Sequence, residues 1–226
     1  TVVANGMKAL SVAAFKEQII TFEPVILDTR NATLFTQGFV PGSISIGLEG
    51  RFAEFAGSIL PFDQAILLVC EPGTEKESIV RLARVGFENI IGHLAGGYNA
   101  WVDANETPDL IIDVEADELA MDIPFDPNMV IVDVRKTSEF DKGHIKEALT
   151  IPLDELTDPA SMANFDDNQN IYIHCAGGYR SVIASSLIKR QGIHNIRNVI
   201  GGFKAISELS DKFDIEETAI AEEVKA

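Results

Sequence analysis

The chain has 226 residues, a formal net charge of −17 and a hydrophobic fraction of 46%. This length allows one or two domains, and the apolar fraction is sufficient for their cores. The acidic balance argues against nucleic acid as a partner, because phosphate binding requires basic surface. No apolar run approaches the roughly 20 residues that cross a bilayer, so we expect no membrane segment.

Cysteine usage points to a reducing compartment. The two cysteines are too few for a disulfide framework, and we expect the cytoplasm. Without a CxxC pair or a histidine cluster they give no zinc signature, so neither a metal nor another cofactor is predicted. Thr1 opens the chain without a methionine or a signal-peptide pattern, which favours the C-terminal piece of a longer protein.

An internal repeat organises the chain. VILDTR at 25–30 matches VIVDVR at 130–135, a displacement of 105 residues. Further pairs share this displacement, namely Gly38 and Gly143, Cys70 and Cys175, and the Gly-Gly pairs at 96–97 and 201–202. We therefore predict two copies of one domain.

Each copy predicts the same order of elements. An amphipathic helix at 11–19 or 115–123 leads to a buried strand that ends in Asp-x-Arg. A helical turn, a second strand at 43–48 or 148–153 and a variable helical stretch follow. The cysteine strand, a helix and a last strand then lead to the Gly-Gly turn. Alternating strands and helices imply an α/β fold, with a mainly parallel sheet covered by helices on both faces of each domain.

The boundary between the copies is predicted in the polar segment NETPD at 105–109, where a proline interrupts the pattern. The predicted domains are therefore 1–108 and 109–226. At the end of the chain, the acidic stretch 213–226 predicts a terminal helix or a frayed tail, for which we predict no function.

The stretch IYIHCAGGYRS at 171–181 carries the chemistry. A short apolar strand runs directly into Cys175, which places the thiol where open α/β sheets build their sites. Gly177 and Gly178 allow successive N–H groups to converge on the sulfur, and Arg180 adds a permanent positive charge. A helix pattern follows. We predict a nucleophilic thiolate here instead of a buried structural cysteine.

Three segments resemble the rhodanese-type sulfurtransferases, namely CAGGYRS at 175–181, VIVDVRKTSEFDKGHIKEALTIPL at 130–153 and NVIGGFKAI at 198–206. The resemblance implies that Cys175 takes up a sulfane sulfur as a persulfide and passes it to a thiol, cyanide or sulfite. It also implies substrate contacts from the loop residues Ala176, Gly177, Gly178, Tyr179, Arg180 and Ser181. Of these, we expect Tyr179 to shape the pocket mouth, and Ser181 to be either an N-cap or a donor to the sulfur.

Residues around the loop have competing interpretations. Asp133 and Arg135 could assist the thiolate electrostatically, but we favour an ion pair that ties the loop beneath the site. His144 is expected to be a turn residue bonded to nearby backbone, and not a general base. His174 precedes the cysteine, but adjacent strand residues point to opposite faces, so we do not predict it as the base.

The first copy departs from the second at its cysteine loop, which reads CEPGTE. Aligned back from the glycine after the following helix, this loop is one residue shorter and lacks the arginine. Glu71, Glu75 and Glu77 lie close to Cys70, where carboxylates disfavour a thiolate, and Pro72 removes one N–H. We predict that Cys70 is vestigial or structural.

Two other functions remain open. The related cell-cycle dual-specificity phosphatases place five residues between cysteine and arginine, whereas four lie between Cys175 and Arg180. The smaller ring fits a terminal sulfur better than a phosphate, but a phosphatase or arsenate-reductase activity is an alternative. A non-catalytic binding or persulfide-sensing module is the other alternative.

The tandem as a whole resembles the C-terminal half of bacterial metallo-β-lactamase-fold/rhodanese fusions. This implies a role in sulfide or persulfide metabolism, with an N-terminal metallo-β-lactamase-fold domain as a partner. The two-domain thiosulfate and mercaptopyruvate sulfurtransferases are the competing assignment. Expected partners are a small-molecule sulfur donor and acceptor, and a homodimer is a further option.

Overall fold

The computed structural model describes residues 2–218. It divides into two compact units, one ending at Ile111 and the other beginning at Ile112. The residues just after the predicted boundary are held by the first unit: Asp109 pairs with Phe39, and the Ile111 N–H donates to the Thr36 carbonyl. No described helix is both long and apolar enough to span a bilayer.

The first unit is built around a parallel sheet in the order β1-β5-β4-β2-β3. Its strands are β1 (Ala9–Leu10), β2 (Val25–Asp28), β3 (Ile44–Ser45), β4 (Ile66–Val69) and β5 (Ile90–Leu94). Its helices are α1 (Val2–Gly6), α2 (Val12–Phe22), α3 (Ala32–Gln37), α4 (Phe52–Ile59), α5 (Glu75–Arg84) and α6 (Gly97–Asp103).

The first unit follows its sequence pattern closely. The Ser11 hydroxyl caps α2 by accepting from the Ala14 N–H at 3.2 Å. All four residues of β2 and of β4 are buried, as expected for strands covered on both faces. Phe15 of α2 and Trp101 of α6 pack with strand residues in one core cluster, so these two helices lie on the same face of the sheet.

The second unit repeats this plan with the sheet order β6-β11-β10-β7-β9, again parallel throughout. Its strands are β6 (Ile112–Val114), β7 (Met129–Asp133), β8 (His144–Ile145), β9 (Leu149–Thr150), β10 (Asn170–His174), β11 (Ile196–Val199) and β12 (Ile215–Glu216). Its helices are α7 (Ala116–Asp122), α8 (Thr137–Phe140), α9 (Tyr179–Arg190) and α10 (Gly202–Glu208), with 3-10 turns at Leu153–Thr157 and Pro159–Asn164.

Helix α9 is the most deeply set helix of the second unit, since residues 181–189 are all buried. It packs against β10 and β11. A separate core cluster joins Leu119 of α7 and Ile206 of α10 to Tyr172 and Val199 of the sheet. Strand β10, which leads to the cysteine, therefore lies in the middle of the sheet and under helices.

The end of the described chain differs from its prediction. Within 213–218 the structure shows no helix; instead β12 pairs antiparallel with β8, with Ile215 opposite Ile145 and Glu216 opposite His144. Apolar residues explain this, because Phe213 is buried in the core cluster and Ile215 packs against it. The rest of the predicted acidic tail, 219–226, lies outside the described residues.

Candidate active site

Cys175 lies directly after β10, at the carboxyl end of a strand flanked by β7 and β11. His174 pairs with Asp133 across to β7, so the ends of both strands reach the same edge of the sheet. Cys175 is only 1% exposed, whereas the next two residues, Ala176 and Gly177, are exposed. The thiol is therefore covered by its own loop.

The loop directs an amide to the sulfur. The Gly178 N–H donates to Cys175 Sγ at 3.1 Å. On the other side of the loop, the carbonyl of Cys175 accepts from the Phe203 N–H at 2.6 Å, and that of Ala176 accepts from the Lys204 N–H at 3.1 Å. The start of α10 thus binds two carbonyls of the loop, while the Gly178 N–H faces the sulfur, where it can stabilise a thiolate or a persulfide anion.

Helix α9 begins earlier than predicted. Gly178, with a φ of 105°, is its N-cap, so Tyr179, Arg180 and Ser181 form its first turn. Ser181 takes neither expected role: it is not the N-cap, and its hydroxyl oxygen accepts from the Cys175 thiol at 3.6 Å instead of donating to the sulfur. The same hydroxyl donates to the Gly178 carbonyl at 3.2 Å. The positive end of α9 thus lies beside the thiol.

Asp133 and Arg135 form a buried ion pair. Arg135 Nη2 lies 2.6 Å from Asp133 Oδ2 and donates to the Gly143 carbonyl at 2.7 Å, while its guanidinium stacks 3.8 Å from the Phe203 ring. The pair ties β7 to the Gly-His-Ile segment and to the start of α10. This is the structural role that we favoured for these two residues.

The first unit contains the same ion pair. Arg30 Nη2 lies 2.6 Å from Asp28 Oδ2 and 2.8 Å from the Gly38 carbonyl, and its guanidinium lies over the Tyr98 ring. Its presence beside both cysteines, whose loops differ, indicates that it supports the fold of each copy.

Arg180 is engaged by a residue that sequence reasoning missed. Its Nη1 and Nη2 donate to the two carboxylate oxygens of Glu139 in α8, at 2.7 and 2.8 Å. This bidentate contact lowers the pKa of Glu139 to about 2. The two residues are 41 positions apart in sequence, and no local pattern signals the pair. The first copy has Leu34 at the position of Glu139, and its cysteine loop lacks an arginine.

The two histidines are both buried, with different contacts. His144 Nδ1 lies 3.0 Å from the Phe140 carbonyl, and its ring stacks on that of Phe140, which is a turn role. His174 is fully buried, and burial lowers its pKa. Its Nε2 lies 3.8 Å from Asp133 Oδ2 and has no hydrogen-bond partner within residues 2–218.

The cysteine of the first unit has a different environment. Cys70 Sγ lies 3.6 Å from the Ser78 hydroxyl, and burial raises the pKa of its thiol to about 11. The Gly73 N–H, equivalent to that of Gly178, donates instead to the Glu75 carboxylate at 2.8 Å. In the first unit this N–H therefore binds a carboxylate, whereas in the second unit it binds the cysteine sulfur.

A cavity of about 660 Å³ nevertheless lies next to Cys70, lined in part by Leu34 and Tyr98. The first unit therefore keeps a cavity beside a cysteine whose thiol pKa is raised. Across the described residues, no group of three or more His, Cys, Asp and Glu side chains is arranged to hold a metal ion.

This architecture corresponds to a known family. The Rhodanese-like domain family matches residues 11–104 and 115–209. The chain belongs to this family and contains two tandem copies of its domain, each a parallel five-stranded sheet flanked by helices.

Similar proteins differ in what they are named to do. The chain is 35% identical over 109 residues to the candidate sulfur carrier protein YrkF of Bacillus subtilis, covering 48% of this chain and 56% of that protein. It is 36% identical over 81 residues to the tRNA uridine(34) hydroxylase of Erwinia tasmaniensis, covering 34% of this chain and 23% of that enzyme. The chain thus spans about half or less of these relatives.

Among solved structures, a thiosulfate sulfurtransferase from Pseudomonas aeruginosa aligns with 95% of this chain and 46% of its own. The sequence identity is 17% and the TM-score is 0.42.

Proposed function

We propose that the chain is a sulfurtransferase that carries a sulfane sulfur as a persulfide on Cys175. The observation that carries this proposal is the Gly178 N–H, 3.1 Å from Sγ at the start of a 12-residue helix. A sulfur anion held there is stabilised by this amide and by the helix dipole. Membership of the Rhodanese-like domain family and the resemblance to a sulfur carrier support it.

The reaction has two displacements on sulfur. The Cys175 thiolate attacks the outer sulfur of a donor persulfide, the S–S bond of the donor breaks, and the donor leaves as a thiolate that takes up a proton. A thiol, cyanide or sulfite then attacks the outer sulfur, and Cys175 leaves as the thiolate. The donor and acceptor we propose are those of cytoplasmic sulfide or persulfide metabolism.

In this proposal the first copy does not carry sulfur. A thiol with a pKa of about 11 is almost entirely protonated near neutral pH, so Cys70 does not compete for sulfur.

Intact-protein mass after brief exposure to glutathione persulfide tests the proposal. The unmodified chain and Cys70→Ser should gain one sulfur atom, which cyanide removes, and Cys175→Ser should gain none. Repeated loading and discharge of the same sample distinguishes an enzyme from a sensor, which would be modified once. Sulfur uptake at Cys70 would overturn the inactive role of the first copy, and uptake at neither thiol would refute the proposal.

A further inference from the structure

The contact between Glu139 and Arg180 neutralises the positive charge next to the cysteine loop. Both terminal nitrogens of the guanidinium donate to the carboxylate, at 2.7 and 2.8 Å. The side chains are 35% and 19% exposed, so the pair lies at the edge of the site and not in the core. A bidentate pair of this kind occupies the donor fork that an anionic substrate would use.

The other guanidinium near the loop is also neutralised. Arg135 is paired with Asp133 and is only 5% exposed. Two groups in contact with Cys175 Sγ, the Gly178 N–H and the Ser181 hydroxyl, are uncharged. The site therefore offers dipoles to the transferred sulfur but no free positive charge from these arginines.

Comparison of the copies separates this pair from the fold. The ion pair of Asp133 and Arg135 has a counterpart in the first unit, Asp28 and Arg30, whereas the first copy has Leu34 in place of Glu139 and no arginine in its cysteine loop. A rhodanese-like unit therefore forms without the second pair. The pair of Glu139 and Arg180 occurs in the copy whose loop donates an amide to the sulfur.

We infer that Glu139 determines the class of sulfur donor, because it cancels the charge of Arg180 and so favours persulfides of low charge over dianionic donors such as thiosulfate. This inference rests on the proposed function. Both donors deliver the same sulfur to Cys175: a persulfide leaves as a thiol, and thiosulfate leaves as sulfite. The two donors differ in the negative charge that must come close to the Glu139 carboxylate.

Glu139→Gln is the variant that tests this role. In the unmodified chain the Lys136 N–H donates to the Glu139 carboxylate at 3.1 Å. The glutamine side chain keeps an oxygen that can accept this hydrogen bond, but it carries no negative charge. Asp167→Asn is the matched control, because it removes one exposed charge before the start of β10, at the opposite end of that strand from Cys175.

The measurement is the second-order rate of sulfur loading onto Cys175, followed by intact mass. One donor is thiosulfate, and the other is the persulfide of 2-mercaptoethanol, which has no charged group besides the persulfide. A unit charge a few ångströms away corresponds to about a tenfold effect, so the ratio of the thiosulfate rate to the persulfide rate should rise about tenfold in Glu139→Gln. Asp167→Asn should leave the ratio unchanged.

The double variant Glu139→Gln/Arg180→Gln should return the ratio towards that of the unmodified chain, because no free guanidinium remains. If Glu139→Gln does not fold, Glu139→Leu, which copies Leu34, replaces it. An unchanged ratio in the folded variant, or an equal rise in Asp167→Asn, would overturn the inference alone. Failure of the unmodified chain to load sulfur from either donor would overturn the proposed function as well.

Discussion

Replacing Gly202 with alanine tests how closely the Gly-Gly turn confines the cysteine loop. A Cβ at Gly202 would lie 2.3 Å from the Cys175 carbonyl oxygen and 2.9 Å from the Ala176 carbonyl carbon. Both neighbours are backbone atoms, so the turn and the loop must separate by about 1 Å to reach ordinary contact distances. The φ of Gly202 is +57°, which adds the strain of a left-handed conformation.

The chain provides a control that separates strain from contact. Gly192 has a φ of +95°, but a Cβ there meets nothing within 4 Å. We expect Gly192→Ala to lower the free energy of unfolding by about 1–2 kcal/mol, from left-handed strain alone. Gly202→Ala should lower it by about 1–3 kcal/mol more, because the added atom overpacks the loop.

Sulfur loading should respond more sharply than stability. Displacing the loop by about 1 Å would move the Gly178 N–H away from Cys175 Sγ, and a misplacement of this size lowers a rate by roughly 100-fold. Urea unfolding and the rate of loading by intact mass would be measured on both variants. The reasoning fails if Gly202→Ala loads sulfur at the unmodified rate and is no less stable than Gly192→Ala.

Three further predictions concern ionisable groups. Asp133→Asn leaves Arg135 buried without its carboxylate, so the free energy of unfolding should fall by about 3–5 kcal/mol in urea titrations; a loss below about 1 kcal/mol would contradict the buried ion pair. Since burial raises the pKa of Cys70 to about 11, its alkylation by iodoacetamide, located by peptide mass, should rise about tenfold per pH unit up to about pH 10, without a plateau near pH 8.5. The hydrogen bonds from Arg180 lower the pKa of Glu139 from 4.5 to about 2, so the stability they add is present above pH 4.5 and is lost towards pH 2. The stability difference between the unmodified chain and Glu139→Gln, measured by urea unfolding, should therefore shrink over this range; a difference that is constant with pH would argue against the pair.

Much of the fold could be predicted from the sequence because its signals are local or repeated. The buried stretch before Asp-x-Arg and the short apolar stretch before Cys175 predicted β7 and β10, and the amphipathic pattern at 11–19 predicted α2. The displacement of 105 residues predicted a second copy of the same fold. The start of α9 was predicted too late, because a glycine N-cap in a left-handed conformation has no distinctive side chain.

The candidate site was only partly predictable. The position of Cys175 at a strand end and its glycine loop follow from local pattern, and so does the contrast with the loop of Cys70. The pairing of β12 with β8 could not be anticipated from two-residue strands, which are too short to show a period.

The sequence by itself determined that two α/β domains of one kind follow each other and that the second places a thiol before a glycine loop and a helix. Only the tertiary structure decided which groups meet that thiol. The Gly178 N–H lies 3.1 Å from the sulfur in a loop that α10 also contacts, and Arg180 meets Glu139 because β7 and β10 are neighbours in the sheet. Periodicity along a chain records which residues are buried, but charge pairing depends on which strands lie side by side, and that is settled only when the sheet forms.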